Sequence, residues 1–95
     1  MKAKLIRIER SIVIYSSRNE IIKEIPINIH LEELLKIVEP YLEDPMLYEG
    51  YELSLAQLDK VNGLVEKKIK VEMDNYCVLE CTGIYGWDAK TSDID

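Results

Sequence analysis

Leu5 to Tyr15 reads LIRIERSIVIY, and the spacing of its apolar residues decides the fold. Ile6, Ile8, Ile12 and Ile14 fall on one side of an extended chain, with Arg7, Glu9 and Ser11 on the other. Successive side chains of a strand point to opposite faces, so this period of two marks a long, half-buried strand. Ser16-Ser17-Arg18-Asn19 follows with turn residues, and Glu20 to Ile27 reads as a second strand. Two adjacent strands with a short polar link make an antiparallel hairpin. Pro26 has no amide to donate, which places it at a strand end or on a sheet edge.

Beyond the hairpin the period changes. Leu31, Leu34, Leu35 and Val38 sit at helical spacing within Asn28 to Leu42, with Glu32 and Glu33 in the favourable first turn. Pro40 disfavours a helical Glu39 and ends or kinks the element. Ser54 opens a second helix: Ser54 and Gln57 form a capping-box pattern, and Leu53 and Leu58 hold the staple positions. Leu55, Leu58, Val61 and Val65 give its apolar stripe, and Gly63 is placed to stop it.

Lys67 to Thr82 reads as a second hairpin around Asp74-Asn75, pairing Met73 with Tyr76, Val71 with Val78 and Ile69 with Glu80. That register leaves Cys77, Leu79 and Cys81 on a partly exposed face with Lys68, Lys70 and Glu72. From Gly83 onward the chain reads as a short edge segment or a frayed end. The expected order is β-β-α-α-β-β: an α+β fold with a four-stranded antiparallel sheet and two helices on one face. Residues 1–95 fit a single domain whose tail, 86–95, frays.

A chain of 95 residues, 47% hydrophobic and 32% charged, has a globular composition and needs nearly every apolar side chain for its core. No stretch approaches the roughly 20 apolar residues of a membrane span, and the N-terminus shows neither an apolar signal core nor a cleavage site. The expected location is the cytoplasm. Cys77 and Cys81 lie four apart in an extended stretch, roughly 13 Å at about 3.3 Å per residue. Disulfide geometry forbids that span, so both are expected to be free thiols in a reducing compartment.

The net charge of −6 is segregated. Ile37 to Asp59 holds six acids (Glu39, Glu43, Asp44, Glu49, Glu52, Asp59) and no base. Glu72 to the C-terminus holds six more against Lys90 alone, while Lys60 to Val71 carries four lysines and one acid. This balance repels nucleic acid and anionic membranes and attracts a basic protein.

Catalytic groups are sparse. His30, the single histidine, sits at a helix start, where a cap or surface role accounts for it. Cys77 and Cys81 lack a histidine-paired or close redox spacing, and packing accounts for them. Glu32-Glu33 and Glu43-Asp44 are neighbouring acids of the kind that line a solvated face. No phosphate-binding glycine pattern accompanies Gly50, Gly63, Gly83 or Gly86. The expectation is a non-enzyme with no catalytic residue, no cofactor and no metal site.

Tyr41 to Leu53 (YLEDPMLYEGYEL) carries the most information about function. It combines Tyr41, Tyr48, Tyr51 and Met46 with four of the acids in the base-free stretch. Tyrosine and methionine are favoured at interface centres, and carboxylates around them select a basic partner. The rival reading is that these aromatics merely cap the core beneath a solvated loop. Trp87 and Asp88 form a second candidate contact, with core closure as the alternative for Trp87. The expected partner-binding residues are Glu39, Glu43, Asp44, Tyr48, Glu49, Tyr51, Glu52, Trp87 and Asp88.

Glu24-Ile25-Pro26, then Leu31-x-x-Leu34 and Val38, then Asp44-Pro45-Met46 with Tyr48 and Tyr51, then Leu53-Ser54 with Gln57, resembles an uncharacterised family of small bacterial domains. The likeness runs over roughly residues 5–62. The chain departs from the pattern by inserting Leu47 between Met46 and Tyr48, and by placing Glu52 where an apolar residue or proline is common. The resemblance implies no activity. In size, charge and style the chain is also similar to immunity proteins of bacterial toxin systems, including contact-dependent growth inhibition. That similarity implies a protein that neutralises a basic, nuclease-like toxin domain by acidic surface complementarity. The alternative is a non-catalytic structural or regulatory subunit that homodimerises through a sheet edge.

Overall fold

The computed structural model describes residues 3–87. In chain order it contains β1 (Ala3–Tyr15), β2 (Ile21–Ile27), α1 (Leu31–Leu34), β3 (Tyr51–Leu53), α2 (Leu55–Asn62) and β4 (Tyr76–Trp87). The strands form one four-stranded sheet in the spatial order β2-β1-β4-β3, antiparallel throughout. The fold is α+β. Among the described residues no helix is long and apolar enough to cross a membrane.

The first hairpin forms as its turn chemistry demands. Asn19 takes a positive φ of 64°, a conformation asparagine tolerates better than most residues. The Ser16 amide donates to the Glu20 carbonyl at 2.8 Å, and the Ser16 Oγ accepts from the Arg18 and Glu20 amides at 3.2 Å. Pro26 lies on β2, an edge strand, where its missing donor is tolerated. The alternation of β1 holds from Ile8 onward but not at Ile6. A register shift between Leu5 and Arg7 puts an extra residue into β1, and Ile6 turns to solvent at 60% exposure.

Residues of both helical regions reach the buried core. Leu34, Val38, Leu58 and Val61 join Ile12, Ile14, Leu53, Cys77 and Leu79 in a single buried cluster. The first helix is far shorter than the helical spacing suggests, ending at Leu34 and continuing only as turns to Val38. Pro40, which pushes Glu39 out of helical backbone, leaves it too little length to propagate. The second helix carries the full capping box: the Gln57 amide donates to Ser54 Oγ at 3.1 Å and the Ser54 amide to Gln57 Oε1 at 2.8 Å. Gln57 Nε2 also donates to the Ile37 carbonyl at 3.1 Å, tying the two helical regions together.

The expected second hairpin is absent, and the order is β-β-α-β-α-β. Asp74 does turn the chain, with φ 75° and a 3.1 Å bond from the Asn75 amide to the Glu72 carbonyl. What precedes that turn is not a strand, and Met73 is 89% exposed. Residues 67–71 are held by Asn62 instead. Its amide group donates to the Ile69 carbonyl at 2.9 Å and accepts from the Ile69 amide at 2.7 Å. The true partners of β4 are β1 along its whole length and β3 at Tyr51–Leu53. Ile14 faces Cys77 and Ile12 faces Leu79, so Cys77 and Leu79 point into the core and Glu80 points away. The β4 faces are therefore the reverse of those expected, because the apolar row of β1 selects the register.

One consequence is a protruding ribbon. β2 stops at the pair Ile27–Arg10, and β3 stops at Tyr51–Leu79. Ala3–Glu9 and Thr82–Trp87 continue past both, paired among the described residues only with each other. The described chain measures 52 × 29 × 28 Å, and the ribbon accounts for its length.

Candidate partner-binding loop

The loop between Pro40 and β3 is built around one buried carboxylate. Asp44 is only 6% exposed. Its Oδ1 accepts from the Tyr48 amide at 2.8 Å, and its Oδ2 accepts from the Glu49 amide at 2.9 Å and the Tyr51 hydroxyl at 2.6 Å. The Tyr51 hydroxyl in turn accepts from the Tyr41 amide at 3.0 Å, and the two rings stack with centroids 4.4 Å apart. Burial pushes the Asp44 carboxyl up, but these donors and the nearby Arg10 charge outweigh it and hold it below its ordinary value. Burial, with the bond to Asp44, pushes the Tyr51 phenol up.

Arg10 closes the loop from beneath, its Nη2 donating to the Met46 carbonyl at 2.8 Å. It occupies an inward position on β1, facing Cys81 across the ladder and one step along from Ile12. The sequence carried the signal: Arg10 interrupts the inward series Ile8, Ile12, Ile14. A cation at such a position needs an internal acceptor, and the Asp44 loop supplies one. Leu47 is fully buried at a positive φ of 56°. That backbone costs roughly 1–2 kcal/mol, which burial of the leucine side chain offsets.

The expected partner-binding residues separate into groups. Glu39, Glu43, Tyr48 and Glu49 are exposed on the loop. Asp44 and Tyr51 are not surface groups; they are the internal brace. Glu52 is exposed on the sheet face opposite the helices, beside Val78. Trp87 is the last described residue of β4, and Asp88 lies outside the described residues. Tyr41 at 56%, Leu42 at 97% and Met46 are exposed on the same loop, although none is among the expected partner-binding residues. Tyr48 also turns toward the ribbon, lining a groove of about 310 Å³ with Leu5, Ile8, Cys81, Gly83 and Tyr85.

Cys77 is buried, Cys81 half-buried, and both are free. Burial pushes both thiols up, away from the reactive thiolate. His30 caps α1 by position only, without a side-chain bond to the helix.

Residues 9–78 match the model of a protein family described as a domain of unknown function (DUF7683). The matched span includes the whole braced loop and leaves out β4 from Leu79 onward and all of the ribbon except Glu9. No curated protein and no solved structure matches the chain.

Proposed function

The chain belongs to the DUF7683 family, and from its surface we propose that it is a protein-binding module for a basic partner. One arrangement carries the reading. Tyr41, Leu42, Met46 and Tyr48 stand exposed on a loop whose backbone is fixed from inside by Asp44 and Arg10. Glu43 and Glu49 flank them in the same loop, and Glu39 stands exposed just before it. Apolar and aromatic anchors with a charged surround match the anatomy of a protein interface. A braced loop has little freedom left to lose on binding, which favours affinity.

The finer reading is an immunity protein that covers the active site or an essential surface of a basic, nuclease-like toxin domain. The carboxylates would steer encounter, and Tyr48 with Leu42 would hold the complex. Kinetic binding measurements with the toxin-like product of a neighbouring gene, over a series of salt concentrations, test this. The expected result is a complex at micromolar concentration or tighter, with an on-rate that falls as salt rises. Replacing Leu42 and Tyr48 by alanine should weaken it by at least tenfold, about 1.4 kcal/mol. No complex at micromolar concentration overturns the immunity reading.

A further inference from the structure

Each outer edge of the ribbon is unpaired among the described residues, and the two edges differ. On β1 the free stretch Ala3–Glu9 carries Lys4, Arg7 and Glu9 and is kinked by the register shift at Leu5–Arg7. Charges and bulges are the devices by which proteins keep an edge from pairing. The β4 edge has none of them. Cys81-Thr82-Gly83-Ile84-Tyr85-Gly86-Trp87 contains no charge and no proline, and its pairing to β1 shows no extra residue on the β4 side. A two-stranded ribbon is marginal by itself in water. This one also leaves Leu5 at 53% and Tyr85 at 64% exposure.

We propose that the β4 edge is a self-association site, paired antiparallel with the same edge of a second copy. A two-fold axis through Ile84 sets the register. It places Ile84 opposite Ile84 of the second copy, Gly83 opposite its Tyr85, and Thr82 opposite its Gly86. Each large side chain on the edge then faces itself or a small residue, and each pair shares one face of the sheet. The same register puts Cys81 opposite the end of the second copy's strand. That is clear of β3, whose last pair is Tyr51–Leu79.

Charge selects a second copy as the occupant. The chain as a whole carries −6, which drives two copies apart over most of their surface. The ribbon, Ala3–Glu9 with Thr82–Trp87, carries Lys4 and Arg7 against Glu9 and so lacks the acidic excess of the rest of the chain. It is where two acidic copies can meet without that penalty.

Sedimentation of the full chain from about 1 μM to about 1 mM tests the proposal, with a concentration-dependent dimer expected. Ile84→Lys and Ile84→Glu, each alone, should weaken the dimer at least tenfold by setting like charges on the axis. An equimolar mixture of the two should restore it, because the axis then sets lysine against glutamate. Hydrogen exchange on the unaltered chain gives a readout independent of whether the variants fold. Protection at Thr82, Ile84 and Gly86 should rise with concentration. A chain that stays monomeric throughout overturns the proposal. So does a dimer that neither variant weakens, or a mixture that fails to recover. No toxin partner is needed, so the outcome is separate from that of the immunity reading.

Discussion

β1 passes through two environments within thirteen residues. From Arg10 to Tyr15 it lies between β2 and β4, under the two helices, and Ile12 and Val13 are buried on opposite faces. From Ala3 to Glu9 it pairs, among the described residues, with β4 alone, and Leu5 and Ile6 remain largely in solvent. Both halves carry aliphatic residues, although Ala3–Glu9 holds three charges and Arg10–Tyr15 one. What differs is the set of neighbours brought in by chain connection: β2 by a short turn, β3 by the long return through α1 and the braced loop. An alternating apolar strand demands a cover without specifying its source. The broad end of the sheet covers itself; the ribbon does not.

Truncation should separate the two regions most sharply. Ile12→Ala removes a fully buried side chain from the centre of the cluster and should cost about 3–4 kcal/mol. Against a total of about 5–10 kcal/mol for a domain of this size, that loss approaches global unfolding. Leu5→Ala, on the ribbon, should cost less than about 1 kcal/mol at concentrations where the chain is monomeric. Urea denaturation of both variants measures the gap. Equal costs would mean that the ribbon is part of the core.

The braced loop joins the regions, since Tyr48 leaves the Asp44 cradle to line the groove against Leu5 and Tyr85. Asp44→Asn keeps the shape but puts a donor where one oxygen accepts from two groups, the Glu49 amide and the Tyr51 hydroxyl. Its melting temperature at pH 7 should fall by on the order of 5–10 °C. Ribbon amides should exchange faster as Tyr48 loosens. The pH dependence follows from the lowered Asp44 carboxyl. Its stabilisation is present above the unfolded value of 3.8 and is lost as pH falls through the lower folded value. Melts of the variant and the natural chain should therefore converge in acid. A gap that stays constant down to the acid limit would remove Asp44 as the brace.

The parts of this fold that were legible in the sequence are those fixed by neighbours in the chain. The β1–β2 hairpin has its turn residues, and α2 has its cap and staple within five positions. The parts that were not legible depend on distant choices. Asp74-Asn75 looks like a hairpin turn, but Cys77 and Leu79, which that register sets beside Glu72 and Lys70, find an apolar row on β1 in Ile14 and Ile12. β3, with only Tyr51, Glu52 and Leu53, is too short to announce itself by alternation. At the candidate site, the acids and tyrosines were visible, but their division into brace and surface was not. Asp44 and Glu43 are chemically alike and adjacent; only the convergence of two amides, a phenol and Arg10 places one inside.

The smallest expected effect lies on the uncovered face of the broad end. There the Tyr15 ring stacks on Tyr76 at 5.2 Å and its hydroxyl donates to Glu80, the first residue of β4 beyond the reach of β3. Tyr15 thus links the hairpin end of the sheet to the root of the ribbon. The bond to Glu80, with burial, pushes the Tyr15 phenol from 10.0 up to about 12. A raised folded value means that the stabilisation is complete below pH 10.0 and disappears as pH climbs to about 12. Tyr15→Phe keeps the stack and removes the titration. The natural chain should lose melting temperature more steeply than the variant within that window, while below it the two differ only by the missing hydroxyl bond. Ultraviolet titration of the phenolates should show one fewer late-ionising tyrosine in the variant. Parallel melting curves through the window would mean that the Tyr15–Glu80 bond does not hold the ribbon root in solution.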